Sequence, residues 1–517
     1  MKLFIKNATI VDGTGKHPFK ANIGIKDEKI VYIGKEVFSA KENIDAKELM
    51  LTPGFIDTHS HSDFTILADP RAEGKITQGI TTEINGNCGV SASPLMGECF
   101  QRRLPEIKSL GLSHWCSMDE YILKLKKAKP AINLLTLCGH GNIRGSVIGY
   151  KNKEVNKEEM TKMKKLLKNE FLYKIKGIST GLIYPPGMFT KTEELIELAK
   201  IAVSNKGIYS THMRSEGERI LSALEEVVLI GKKAKIPVHI SHLKTSGKEN
   251  WWKIDTILKI IEEAQKDGVR ITADRYPYIA SATDLDAFLP SWIVEGSREE
   301  ILNRLKTKKV RRLIKKYLIE RGKDFLDSLL ISDVKSEKDR AIEGKRLSEI
   351  TNLDNVADYV CDILIRSELF VGAIYFGMSE ENLEKILKQP YVMIGTDSSA
   401  RCRDGITFKG KPHPRGFGSF PRFIKKYVLD KNLISLQEAI RKITYLPAKT
   451  FGIEKRGQIK EGYFADIVIF DPSTIEDKAT FEEPFLTSKG ISYVIVNGEI
   501  AVKEGILTGK RNGKVLI

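Results

Sequence analysis

The 517-residue chain is 41% hydrophobic and 29% charged, the balance of an ordinary globular protein, and no apolar run reaches the ~18 residues that a transmembrane helix needs. Its net charge of +16 is spread over helical segments such as residues 151–168 with glutamates between the lysines, and no nucleic-acid-binding motif accompanies it, so neither a nucleic acid nor a membrane is expected as a partner. Six scattered cysteines without a Cys-x-x-Cys pair argue against a disulfide framework or a zinc ribbon and suit a reducing compartment, which makes a cytoplasmic location the expectation.

Residues 1–11 read as a strand rather than as a signal peptide, and 1–52 continue as short strands with turns at Asp12-Gly13 and Asp27-Glu28. Pro53 and Gly54 then lead into the first of eight β-branched runs: 55–59, 81–85, 132–138, 177–183, 208–212, 238–242, 270–273 and 391–395. Amphipathic stretches such as 193–205, 220–234 and 253–267 separate them, with apolar residues at helical spacing. Strand–helix alternation repeated eight times predicts an α/β fold, a (β/α)8 TIM-like barrel spanning 53–449. Residues 284–388 are too long for one crossover, and their charged, helical composition predicts an inserted subdomain beside the mouth, a candidate lid. From 450 to 517 the chain returns to short strands, among them Ala465–Phe470 and Ser492–Gly498. Both ends are expected to meet in one small β-sandwich.

Each barrel run ends in polar or glycine-rich sequence, and barrel active sites gather at those C-terminal strand ends. His59 and His61 stand two apart after the first run, a spacing that puts both imidazoles on one face of a strand. Cys88, His212, His242 and Asp397 follow the second, fifth, sixth and eighth runs. Nitrogen donors with one thiolate and one carboxylate suit zinc, which accepts all three. A catalytic zinc keeps a position open for water and lowers its pKa to about 7, and a carboxylate such as Asp397 can carry the proton to a leaving group. Such a set predicts hydrolysis of an amide or related C–N bond.

Each candidate ligand also has a purely structural reading. Cysteines are often small core residues, and the other five are read that way; Cys88 lies in the strand-end loop Asn85-Gly-Asn-Cys-Gly89 and is read as a ligand. Strand parity groups Val238, Ile240 and His242, which points His239 toward the helices in a structural role. His17 and His114 read as surface residues, while His140 and His413, in mouth loops, stay open between orienting a ligand and binding substrate.

Taken together, these residues resemble the amidohydrolase superfamily, through Pro53-Gly-Phe-Ile-Asp-Thr-His-Ser-His61, the strand-end ligands, the split sandwich and Gly457-Gln-Ile-Lys-Glu-Gly-Tyr-Phe-Ala-Asp-Ile-Val468. Further motifs resemble the D-aminoacylase (N-acyl-D-amino-acid deacylase) family: Asn87-Cys88-Gly89, Gly139-His-Gly-Asn142, Gly181-Leu-Ile-Tyr-Pro-Pro-Gly187, Thr211-His-Met-Arg-Ser-Glu216, Ile240-Ser-His-Leu-Lys244, Tyr276-Pro-Tyr278 and Pro412-His-Pro-Arg-Gly-Phe-Gly-Ser-Phe-Pro-Arg422. The resemblance implies zinc-dependent hydrolysis of N-acyl-D-amino acids to a carboxylate and a free D-amino acid. It implies a tightly bound zinc on Cys88, His212 and His242, a second weaker site at His59 and His61, and Asp397 as general acid/base. It further implies that Lys244, Tyr276 and Arg415 contact the substrate carboxylate, with Tyr184 on the scissile carbonyl. Arg214 is a weaker candidate for the carboxylate and could equally pair with Glu216.

Two departures from the family bear on the substrate side chain. The loop from Asp397 to Arg415 is longer than the family's and carries Arg401, Arg403 and Lys409, and the serine expected after Tyr276-Pro-Tyr278 is shifted within Ile279-Ala-Ser-Ala-Thr283. Extra cations there would favour an acidic side chain. The alternatives are a cyclic-amide hydrolase resembling dihydroorotase or hydantoinase, and a dipeptidase removing a C-terminal D-residue. The first typically needs a carbamylated lysine on strand 4, and 177–183 contains none. A non-catalytic binding protein is a third reading, disfavoured by Asp397 standing beside every candidate ligand.

Overall fold

The computed structural model describes residues 1–516. Its centre is a closed parallel barrel of eight strands: β1 (Phe55–Asp57), β2 (Ile80–Asn85), β3 (Asn133–Thr136, resumed at Cys138–Gly139), β4 (Gly177–Gly181), β5 (Ile208–His212), β6 (Val238–Ile240), β7 (Ile271–Arg275) and β8 (Val392–Ile394). Each pairs with the next in sequence order. The barrel closes between its first and last strands at the Ser60–Ser398 bridge and through the Asp397 amide, which donates to His59 O at 2.7 Å. The eight predicted runs coincide with these eight strands.

Strand alternation sorts the side chains. Ile56, Ile84, Leu135, Leu137, Ile208 and Met393 form an interior core that Ala448, Phe451 and Ile453 seal from below. Val238, Ile240, Ile271 and Ala273 instead pack outward against helical residues such as Leu224, Val227, Ile257 and Ile261. The helix Ile254–Lys266 shows why these segments are helical: Ile254, Ile257, Ile261 and Ala264 recur at three- and four-residue spacing and are all buried.

The chain's two ends share one nine-stranded sheet. Its N-terminal part (Leu3–Ile10, Phe19–Lys26, Lys29–Gly34, Glu42–Asp45, Met50–Pro53) joins the C-terminal part where Met50–Pro53 runs antiparallel to Ile467–Phe470. Between β7 and β8, strands Ser281–Asp284, Leu329–Val334 and Val371–Tyr375 form an antiparallel sheet with the last strand central. Helices Lys308–Ser328 and Val356–Arg366 cover it, and Ile314, Leu318, Ile331, Val360, Leu364 and Ala373 form a core separate from that of the barrel. The next helix, Glu380–Lys388, returns Leu383, Ile386 and Leu387 to the barrel. Among the described residues, no helix is long and apolar enough to cross a membrane.

Candidate metal centre

All six sequence-predicted ligands gather at the C-terminal mouth. His212 is the last residue of β5, while His59, His61, Cys88, His242 and Asp397 lie just beyond their strands. Cys88, His242 and Asp397 have left-handed backbones, with φ of 51°, 37° and 49°. Such a conformation costs an L-residue roughly 1–2 kcal/mol, and it turns the chain so that the side chain leaves the alternation of the strand. This corrects the reading of β6. Strand pairing ends at Ile240, so parity cannot be carried to His242. With Val238 and Ile240 facing the helices, His239 points into the barrel, its ring 5.3 Å from that of Phe451.

Cys88 is central. Its Sγ stands 3.3 Å from His59 Nε2, 3.8 Å from His212 Nδ1 and 3.5 Å from His242 Nε2. His59 Nε2 is in turn 3.5 Å from Asp397 Oδ1, which accepts from His61 Nε2 at 3.1 Å. Three overlapping groups could hold a cation, each with its ligand atoms within 4.8 Å of one another: His59–His61–Cys88, Cys88–His212–His242 and His59–His242–Asp397. The buried His212 Nε2 has no hydrogen-bond partner, and the mixed sulfur, nitrogen and oxygen donors fit zinc.

Four further side chains surround these donors. Asp274, at the end of β7, accepts from His59 Nδ1 at 3.0 Å, His239 Nε2 at 2.8 Å and the His242 amide at 2.8 Å. Glu216 Oε1 lies 2.9 Å from His242 Nδ1 and pairs with Lys244. Carboxylates on the far nitrogen fix a ligating imidazole's tautomer and ring orientation. Lys75 pairs with Asp57 at 2.7 Å, and Asp57 accepts the amides of His59 and Thr396, the residue before Asp397. Sequence reading missed Asp274, Glu216 and Lys75. Asp274 and Glu216 each sit in a strand-end motif, and that position was the available signal.

The electrostatics match. Burial alone would raise the Cys88 thiol, but the imidazoles of His59 and His242 outweigh it and hold the thiol well below its ordinary range. Burial likewise works against ionised Asp397, and Arg415, His59 and His61 overcome it, holding the carboxyl well below the usual range. Burial and Lys244 oppose a charge on His242, yet Glu216 and Cys88 push it up to about 9. Burial, then the nearby Cys88, push Tyr184 well above its usual value, so its hydroxyl keeps its proton.

Three of the four predicted substrate contacts, Tyr184, Lys244 and Arg415, line one cavity of about 1420 Å³ between barrel and insert, larger than the ~300–1,000 Å³ usual for small-ligand sites, whereas Tyr276 is fully buried outside its lining. Arg415 Nη1 lies 2.8 Å from Asp397 Oδ2, and its guanidinium covers the Tyr276 ring at 4.6 Å. The Tyr276 hydroxyl is buried without a partner, and burial is outweighed by Lys244, Arg275 and Arg415, which lower its pKa. Tyr184 stands edge-on to His212, centroids 5.1 Å apart, with its hydroxyl 3.0 Å from Thr283 Oγ1. Arg214 is bound to Glu226, not Glu216, at 2.9 Å. His140 is tied to Glu194 at 2.8 Å, whereas His413 donates to Ala280 O at 2.9 Å and accepts from the Arg415 amide at 3.0 Å. Of the three loop cations, Arg401 lines the cavity; Arg403 is taken by Glu73.

An amidohydrolase family model matches residues 42–317 and 385–502. The chain is 34% identical over 517 residues to D-aminoacylase of Alcaligenes xylosoxydans xylosoxydans, covering 99% of this chain and 97% of that one. It is 32% identical over 522 residues to N-acyl-D-glutamate deacylase of the same organism, covering 100% and 96%. The crystal structure of N-acyl-D-glutamate deacylase from Bordetella bronchiseptica, complexed with zinc and a phosphonate mimic of the tetrahedral intermediate, superposes with a TM-score of 0.83 at 31% identity, over 100% of this chain and 99% of that one. With its strand-end donors, its barrel and these full-length likenesses, the chain belongs to the amidohydrolase family.

Proposed function

We propose that the protein hydrolyses the amide bond of N-acyl-D-amino acids, releasing a carboxylate and the free D-amino acid, with zinc bound at the mouth. The observation that carries this reading is the half-buried Asp397 carboxylate placed against both His59 and His61 in a cluster centred on Cys88 Sγ, with Arg415 and the imidazoles favouring its ionised form. Full-length similarity to D-aminoacylase and N-acyl-D-glutamate deacylase supports the D configuration. Cys88, His212 and His242 are the tight ligands in this reading, and His59 and His61 form a weaker second site.

Zinc bound there supplies a nucleophile at neutral pH by acidifying water, and it polarises the scissile carbonyl. Asp397 accepts the proton of the attacking water on a carboxylate oxygen and returns it to the departing amide nitrogen, so the amine leaves neutral. Tyr184 donates its hydroxyl proton in a hydrogen bond to the carbonyl oxygen as charge develops. Arg415 keeps one edge on Asp397 and offers its remaining donors to the substrate α-carboxylate, joined by Lys244 and the unpartnered Tyr276 hydroxyl. A cyclic-amide reaction bridged by a carbamylated lysine finds no lysine on β4, Gly177–Gly181.

Amine release by zinc-loaded protein from matched N-acetyl-D- and N-acetyl-L-amino acids tests this. Turnover confined to the D series is expected, and turnover of the L series or of neither would overturn it. N-acetyl-D-glutamate against N-acetyl-D-leucine then reads whether Arg401 favours an acidic side chain.

A further inference from the structure

One wholly buried cation lies against the site without entering the chemistry above. Lys75 belongs to the short helix Glu73–Ile76 and is 0% exposed. Its three Nζ protons are shared among four acceptors, Asp57 Oδ2 at 2.7 Å, Ser60 Oγ at 3.0 Å, Thr396 Oγ1 at 2.7 Å and Ser398 O at 2.8 Å, and Glu83 Oε2 is 3.4 Å away. The places of these partners in the chain matter. Thr396 and Ser398 flank Asp397, Ser60 separates His59 from His61, and Asp57 lies two residues before His59.

Asp57 extends the same clamp. Its Oδ1 accepts the amides of Thr396 at 2.8 Å and His59 at 3.2 Å, and its Oδ2 accepts the Thr396 hydroxyl at 2.6 Å. Asp397 itself sits at φ 49°, a conformation that persists only where surrounding contacts over-determine it. Burying an ammonium is costly, and well-packed apolar groups often replace buried ion pairs without loss of stability. A charged clamp at this point is therefore better explained by the geometry it imposes than by stability alone.

We propose that Lys75 is a positioning residue for the reaction: it ties Ser60 to the Thr396–Ser398 turn and so holds Asp397 in its left-handed conformation, with the carboxylate against His59 and His61. The inference rests on the reading of Asp397 as proton carrier. Without the clamp, the turn relaxes toward negative φ and the carboxylate leaves the line between water and leaving nitrogen. A displacement of about 1 Å in such a group can cost on the order of 10²-fold in rate.

The test uses full-length Lys75→Met and the milder Thr396→Val, both zinc-loaded, with turnover of an N-acetyl-D-amino acid, zinc content and amide exchange across 395–399 as readouts. For Lys75→Met, kcat falls on the order of 10²-fold with KM within about threefold and zinc content unchanged; for Thr396→Val the fall is about tenfold. The Asp397 amide exchanges faster in both. Folded, zinc-loaded variants whose kcat stays within about threefold of the parent, or whose Asp397 amide exchanges no faster, would overturn the proposal. If Lys75→Met does not fold, Thr396→Val decides. A parent that turns over no N-acyl-D-amino acid defeats the proposed function, and amide exchange alone then decides the role of Lys75.

Discussion

The two sides of the metal centre are built differently. On one side, Cys88, His212 and His242 are buried and offer one sulfur and two nitrogens around a shared point, with Glu216 fixing His242. On the other, the His61 side chain is 28% exposed, and Asp397 is divided between His59, His61 and Arg415. A soft, dry, preorganised donor set binds zinc tightly, whereas a wetter set that shares its carboxylate with an arginine binds it weakly. In the proposed reading, the contrast separates holding a metal from moving a proton. Variants can therefore break one without the other.

The largest effect is expected from Asp397→Asn, which removes the proton carrier and leaves the Cys88 side intact. Its kcat should fall on the order of 10³-fold with zinc content retained, read by steady-state turnover beside metal analysis. Cys88→Ala should do the reverse, losing tightly held zinc on dialysis, with activity returning only as zinc is added in excess. Asp274→Asn should weaken zinc affinity about 10–100-fold, because the backbone of the tight ligand His242 and the ring of His59 both lose their orienting carboxylate. The smallest change is expected for His61→Asn. It should empty the weaker site while kcat stays within a few-fold, and a loss as deep as that of Cys88→Ala would erase the distinction between the two sides.

Acidity sharpens the same comparison. In the metal-free protein His242 is held up to about 9, so at neutral pH zinc must displace its proton. Zinc affinity should rise with pH toward about 9 and level off above it, with proton release on zinc addition at neutral pH. Affinity independent of pH over that range would contradict the assignment of His242.

The barrel was legible in the sequence because eight β-branched runs and the amphipathic stretches between them each carry a local periodicity. The clustering of the candidate ligands was legible because they fall at the ends of those runs. What escaped was governed by contacts between distant segments. Nothing local marks Asp274 as the acceptor for both His59 and His239, or Lys75 as the partner of Thr396 across the barrel seam. His239 was misdirected because alternation was carried past Ile240, where the backbone turns left-handed at His242. Arg214 finds Glu226, twelve residues on, rather than the neighbouring Glu216, because that carboxylate is engaged by His242 and Lys244.

A crystal structure of the zinc-loaded protein, with anomalous scattering measured at the zinc edge, would separate the two sides of the centre outright. The expected result is the strongest peak among Cys88 Sγ, His212 and His242, and a weaker one between His59 and His61. A dominant peak on the His59–His61 side, with Cys88 unbound, would contradict it.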